Sequence, residues 1–502
     1  MVLWPRRRSR SSHVNPLRLP FPPGPKGLPL LGNLLDLPLE DQHLTFHEWS
    51  KQYRDIMHVD VLGQHIIILD SLQKASDFFD KKSSIYSSRS RMPMLIELMG
   101  WDWDFALMPY GETWRKERRS FHQHFHQGVV DKYQPQQLRE ARRCLTRLLA
   151  DPDDFLHHIR HTFAASVMSI AYGIEVSDRD DPYITTAEIA IGSLSETSVP
   201  GAFLVNNVPI LKYVPPWFPG AGFRKKAEYW RKVGDEMLNK PFYAVLDAMR
   251  QGKAVPSVTS SMLQNLCEDD DNTEALEIIK HTGAAAYSAG ADTTVSAVQT
   301  FFLAMAKHPE VQKRAQAEID SVVGSNRLPE FADRPHLPYT NAMVLETLRW
   351  QPVTPLAFPH TSTEDDEYEG YFVPKGSMIF GNAWAILHDP IEYPDPEEFK
   401  PERFLKDGQL NPNVRDPSVA AFGFGRRICP GRFLSDRAMF CVLSSILAVF
   451  DILPPLDKNG MAVPLKPAMT PGIVRMPVPF KCVIKPRSSA AVALIHAHGD
   501  EC

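Results

Sequence analysis

Apolar residues recur at i, i+3 and i+4 through much of the stretch from Glu112 to Trp350, in segments such as EARRCLTRLLA and HPEVQKRAQAEIDSVVG. That spacing gathers them on one face of a helix, so the middle of the chain is predicted to be helical. Ahead of it, HVDVLGQHIIILDS, from His58 to Ser71, alternates and then runs apolar around a Leu-Gly pair, which predicts a β-hairpin. Shorter strand-like pieces return in GYFVPKGSMIFGNAW and in the proline-punctuated MTPGIVRMPVPFKCVIKP. The predicted fold is mainly α with a smaller β region. No internal repeat or linker divides it, so one domain is expected over 41–487. It follows a basic tail over 1–20 and a proline-rich hinge over 21–40, and residues 488–502 are predicted to be disordered.

The segment from Gly283 to Ala306 is long and apolar enough to suggest a membrane span, but Asp292 and Gln299 would be costly in hydrocarbon. A helix buried in a large core is the expected alternative. At the N-terminus, four apolar residues precede the basic run Arg6 to Arg10, far short of the roughly 20 that cross a bilayer. Neither a spanning helix nor a secretory segment is expected there. With 43% hydrophobic and 23% charged residues, the 502-residue chain is of ordinary globular composition. A net charge of -5, evenly mixed, argues against nucleic acid as a partner. Six cysteines without CxxC or zinc-ligand spacing point to a reducing compartment.

The run AFGFGRRICPG, residues 421 to 431, carries the chemistry. Pro430 suits a first helical turn, which places Cys429 at a helix N-terminus. There its pKa is expected to fall below the reference of about 8.5, favouring a thiolate that serves as nucleophile or metal ligand. Gly423, Gly425 and Gly431 leave room for a wide flat ligand, and an adjacent arginine could bind that ligand's carboxylates. Haem meets both requirements.

Phe422, Gly425, Arg427, Cys429 and Gly431 resemble the FxxGxRxCxG signature of cytochrome P450s, the haem-thiolate monooxygenases. FPPGPKG, WRKER, AGADTT, ETLR and PERF resemble further family elements in the family's order, so the likeness runs from Phe21 to Arg487. It implies a single large haem-thiolate monooxygenase fold holding haem b through an axial thiolate from Cys429. It also implies insertion of one oxygen atom from dioxygen into a lipophilic small molecule, by hydroxylation or epoxidation, in fungal secondary metabolism or xenobiotic oxidation. By the same resemblance Arg427, Trp114, Arg118 and His360 contact haem propionates, while Phe422, Gly425 and Gly431 shape the haem cradle. Glu346, Arg349 and Arg403 form a buried scaffold. Thr293 is then the alcohol beside dioxygen, and Asp292 feeds a proton relay. The residues themselves suggest that Gly290 admits a close neighbour and that the Thr293 hydroxyl takes an i-4 carbonyl and widens the helix. A helix N-cap role for Asp-Thr-Thr is disfavoured by the apolar sequence on both sides.

Basic residues cluster at Arg115, Lys116, Arg118 and Arg119, and at Arg426, Arg427 and Arg432, on segments that by the family resemblance lie near the cysteine-bearing face of the haem, which implies a docking face for an acidic electron donor. The family resemblance implies a NADPH-dependent flavin reductase, with a small haem protein as a further electron donor. FGFGRR lacks the third glycine of a dinucleotide fingerprint. Trp217, Phe218 and Phe223 precede Arg224, Lys225 and Lys226, a pattern suited to a membrane interface or to core plus solvated charge. Peripheral contact with the cytoplasmic face of the endoplasmic reticulum is expected, with a soluble cytoplasmic enzyme as the alternative. Two other functions fit a haem-thiolate centre: an isomerase or dehydratase without external electrons, and a non-enzymatic haem sensor. AGADTT speaks against both.

Overall fold

The computed structural model describes Asn15 and residues 18–199, 201–267 and 271–499. The predicted hairpin is present: β1 (Ile56–Val61) pairs antiparallel with β2 (Gln64–Leu69) across Leu62 and Gly63. Both turn residues have positive φ, 54° and 88°, the twist that lets a two-residue turn join two strands. Two later strands complete the sheet. β3 (His360–Thr361) lies antiparallel to β4 (Met378–Gly381), and β4 lies parallel to β2, in the order β1-β2-β4-β3. His360 therefore sits on an edge strand.

Apart from three two-stranded pairs, the remaining regular structure of the described residues is helical. α1 (Glu112–Phe125), α2 (Gln134–Ala150), α3 (Phe155–Tyr172), α4 (Pro182–Thr197) and α5 (Gly222–Arg250) precede a central pair, α6 (Thr273–Gly290) and α7 (Thr293–Lys307). α8 (Pro309–Val322), α9 (Pro338–Trp350) and α10 (Arg432–Val449) pack around α7, which is buried from Thr294 to Ala306. The apolar Gly283–Ala306 segment is thus core, as its polar residues required. Among the described residues no helix is long and apolar enough to cross a membrane. One core gathers Phe301 and Phe302 of α7, Trp350 of α9 and Ile446 of α10; a second gathers Trp101, Trp103, Trp230 and Tyr287. The cavity described below lies between them.

Two expectations need correction. Residues 489–499 are not disordered: Ser489–Gly499 forms α11, with Ala491 and Ile495 buried in the first core. Its alanine-rich sequence has high intrinsic helix propensity, and Ser488 Oγ accepts the Ala491 N–H at the helix start. Arg487 anchors the entry by donating to Asp320 and to the Ala448 carbonyl. In the proposed membrane segment, Trp217 (77% exposed) and Phe218 (52%) do face solvent, but Phe223 packs into the second core. The run Arg6 to Arg10 lies outside the described residues.

Docking of α11 has a measurable consequence. Ile495→Ala is expected to lower stability by about 2–5 kcal/mol, the cost of emptying a fully buried aliphatic site. Denaturant unfolding followed by circular dichroism checks this; a disordered tail would leave the midpoint unchanged.

Candidate active site

A cavity of about 270 Å³ opens between α1, α6, α7 and the loop that carries Cys429. Gly425 sets the course of that loop. Its φ is 55°, and a Cβ there would stand 2.0 Å from the Phe79 carbonyl oxygen, so no side chain fits. Phe424 stacks on Phe79 at 5.3 Å and leaves Phe422 and Gly423 on the cavity wall. The Cys429 N–H then donates to the Phe422 carbonyl at 2.8 Å, turning the cysteine toward the cavity, with Gly431 beside its Sγ.

The helix after Cys429 starts later than predicted, at Arg432 rather than Pro430. Nor is the thiol acidified. Burial pushes it up, against the Gly431 N–H and the charges of Arg118 and Arg432. Desolvation of the charged form outweighs the few oriented dipoles, so a thiolate here needs a coordinated cation, which deprotonates a thiol outright.

A second wall is built from one buried and two half-buried cations. Arg427 spends three donors on carbonyls: Nε to Ser87 at 2.7 Å, Nη1 to Phe105 at 3.0 Å and Nη2 to Met108 at 2.7 Å. Its guanidinium lies 4.4 Å from the Trp114 ring. Arg118 donates to the Ile428 carbonyl, and Arg89 donates to Ala106, Phe358 and Pro359. All three line the cavity, and none makes an ion pair with a carboxylate among the described residues. Burial, with repulsion from Arg89 and Arg118, pushes Arg427 down to about 8; burial and Arg118 push Arg89 to about 9, and burial and Arg432 push Arg118 to about 10. Beside them the Trp114 Nε1–H is buried with no partner. His360 donates Nδ1–H to the Tyr86 carbonyl at 2.6 Å and is held neutral by burial and by Arg89. Three uncompensated cations and a spare indole N–H call for anions. A flat ligand carrying two carboxylates would match this wall, and Cys429 on the same cavity would supply a ligand to its iron, so the residues present fit haem.

Arg89 was not found in the sequence. It stands in YSSRSRMP, and no spacing there distinguishes it from a surface arginine. Conversely, Arg427 is buried and Arg118 half-buried, so neither belongs to the outer basic face. Arg115, Arg119 and Arg426 are exposed, while Lys116 is paired with Glu274 at 2.6 Å.

Thr293 lines the cavity at the point where α6 gives way to α7. Its Oγ1–H donates to the Ala289 carbonyl at 2.7 Å, the predicted i-4 bond, and the helix opens at Ala291 and Asp292. α7 restarts with Asp292 in the N-cap position, contrary to expectation, although its side chain caps nothing. The Asp292 carboxylate turns away from the cavity wall to accept from Arg160 Nε of α3 at 3.2 Å. Burial raises its pKa, and Arg160 opposes the shift. The close neighbour of Gly290 is Val167 of α3: a Cβ would lie 2.7 Å from its Cγ2.

The loop before the cysteine hangs on a buried triad. Glu346 accepts from Arg349 at 2.7 and 2.8 Å and from Arg403 at 3.2 Å. Arg349 also donates to the carbonyls of Leu387, Pro396 and Glu398, and Arg403 to that of Pro394.

The chain matches the sequence model of the cytochrome P450 family over residues 22–483. The chain is a cytochrome P450. It is 47% identical over 478 residues to cytochrome P450 monooxygenase COX2 of Coprinopsis cinerea, covering 95% of this chain and 91% of that protein. It is 42% identical over 473 residues to tryptamine 4-monooxygenase of Psilocybe cyanescens, covering 93% of each. Cytochrome P450 monooxygenase ple1 of Rhodocybe pseudopiperita is 44% identical over 479 residues, 95% of this chain and 91% of that one. This P450 is therefore an oxidoreductase with the mainly α fold expected of it, a haem-thiolate monooxygenase. Its family carries haem iron on a cysteine thiolate, draws electrons from a redox-partner reductase and acts on lipophilic substrates.

Replacing a cation of the second wall should loosen the cofactor. Arg89→Met is expected to purify with a lower ratio of haem absorbance to protein absorbance. Arg115→Met, which alters an exposed arginine one turn from Arg118, should match wild type.

Proposed function

We propose that this P450 inserts one oxygen atom from dioxygen into a lipophilic small molecule of fungal secondary metabolism, with Cys429 as the axial ligand. The observation that carries this reading is that Cys429 and Thr293 border one cavity whose remaining wall holds three unpaired arginines. Arg427, Arg118, Trp114 and Arg89 hold the propionates, and His360, whose Nδ1–H is spent on Tyr86, joins them by taking up a proton at Nε2 once the carboxylates offset Arg89 and Arg427; Phe422, Gly425 and Gly431 keep the cradle flat. Bound haem supplies the activation of dioxygen. With its hydroxyl proton committed to Ala289, the Thr293 oxygen accepts a hydrogen bond from water and so holds a proton donor at the cavity. Asp292 lies behind it as a buried acid that can pass a proton on, with Arg160 deciding how readily it does so. Phe163, Ile191, Leu194, Ala285, Val353 and Val474 make the substrate side apolar, which suits aromatic and terpenoid skeletons and foreign aromatics alike.

Electrons reach the site from a NADPH-dependent flavin reductase, or a small haem protein, docking at Arg115, Arg119 and Arg426. The enzyme works at the cytoplasmic face of the endoplasmic reticulum through peripheral contact. Ile210, Tyr213, Trp217 and Phe218 support this contact, all more than half exposed within one short stretch.

Cys429→Ala is expected to lose the thiolate-type absorption of the ferrous carbonyl complex. Alanine at Cys144, Cys267, Cys441 or Cys482 should preserve it; an unchanged spectrum in Cys429→Ala would remove the assignment. For Thr293→Ala, haem content and substrate binding should stay near wild type, and NADPH should still be consumed. Product per NADPH should fall by roughly tenfold or more, the scale of a lost proton-transfer group, with hydrogen peroxide released instead. Unaltered coupling would reduce Thr293 to a helix-shaping residue.

A further inference from the structure

Outside the haem cavity, histidines gather at the start of α3 in the sequence DDFLHHIRH. Ligand atoms of Asp154, His157 and His158 lie within 4.8 Å of one another, the only such group of three among the described residues. Asp154 Oδ2 and His157 Nδ1 are 3.6 Å apart. That is too long for a hydrogen bond but close to the roughly 3.4 Å between two ligands of a tetrahedral zinc ion. His161, four residues after His157, shares its helix face, with the two rings 6.3 Å apart.

The orientation of these rings is more informative than their proximity. His158 donates Nε2–H to the Asp151 carbonyl and His161 donates Nε2–H to the Ser177 carbonyl, both at 2.8 Å. A ring anchored through one nitrogen to a carbonyl presents a lone pair at the other, the arrangement that orients metal-binding histidines. His158 and His161 are only 5% and 2% exposed, yet the Nδ1 atoms of both, and of His157, are buried without a hydrogen-bond partner among the described residues. Such orphaned acceptors are rare in folded proteins and ask for an explanation. Arg147 opposes a cation here, but Asp178 answers it at 3.2 Å. The positive end of α3 opposes one as well, and the Asp154 carboxylate offsets it.

We propose that Asp154, His157 and His158, backed by His161, bind a divalent transition-metal ion of the zinc class at a site separate from the haem cavity. A carboxylate with imidazoles selects zinc over magnesium or calcium, which prefer all-oxygen sites. Asp154 and His157 are partly exposed and give the ion its entry path. Metal bound there pins the first turn of α3, whose next turn carries Arg160, the partner of Asp292.

The test uses the full-length, haem-loaded protein without a histidine tag, stripped with a chelator and titrated with Zn²⁺ by calorimetry. Wild type should bind one equivalent that a tenfold excess of Mg²⁺ does not displace, and its melting temperature should rise with zinc. The double variant Asp154→Asn, His157→Gln should bind at least tenfold more weakly and lose the zinc-dependent rise. His122→Gln with His126→Gln, which removes a stacked histidine pair elsewhere, should bind as wild type does. Haem absorbance of each variant reports that it has folded. No saturable binding by wild type, or equal affinity in the Asp154/His157 variant, would overturn the proposal.

Discussion

Three guanidinium groups gathered around one cavity, with no carboxylate paired to them among the described residues, are the constraint on which the rest of the site depends. Arg89, Arg118 and Arg427 spend donors on carbonyls at Ser87, at 105–108, at 358–359 and at Ile428. They therefore tie the segment before α1, the approach to the sheet edge and the cysteine loop to a common centre. Carbonyl contacts alone leave the net charge uncompensated; burial lowers the pKa of each, helped by repulsion from a neighbouring arginine. A dianionic ligand resolves that conflict. Haem is in this sense part of the fold as well as its reagent, because binding only to the folded state stabilises it.

The other elements hold the cavity against this centre. Glu346, Arg349 and Arg403, buried and mutually bonded, fix the path into the cysteine loop, and losing one partner of such a network typically costs about 3–5 kcal/mol. Opposite them, the helix is interrupted where Thr293 takes the Ala289 carbonyl. The break serves two purposes: it leaves a hydroxyl oxygen on the cavity wall, and it turns Asp292 toward Arg160, beyond that wall.

What could be read from the sequence was local. Glycines at 423, 425 and 431 around one cysteine, the i, i+3 pair Glu346 and Arg349, the Leu62–Gly63 turn and the back-bond from Thr293 each follow from short-range geometry. All are present in the structure. The failures were tertiary. Arg89 joins the site only because the chain folds it beside Arg427, and nothing in its own neighbourhood says so. The partner of Asp292 lies 132 residues away. The expected acidification of Cys429 counted helix dipoles but not burial, which dominates. The tail after Arg487 looked featureless because the core that covers Ile495 is built from distant helices.

The most direct test of the account compares haem with its dimethyl ester in reconstituting haem-depleted protein. The ester keeps the flat ring and the iron but presents no carboxylate to Arg89, Arg118 and Arg427. Each charge-assisted hydrogen bond lost costs roughly 1.5–3 kcal/mol, and at least two are lost. The account therefore predicts that the ester binds on the order of a hundredfold more weakly or worse. Equal affinity for haem and its ester would contradict it.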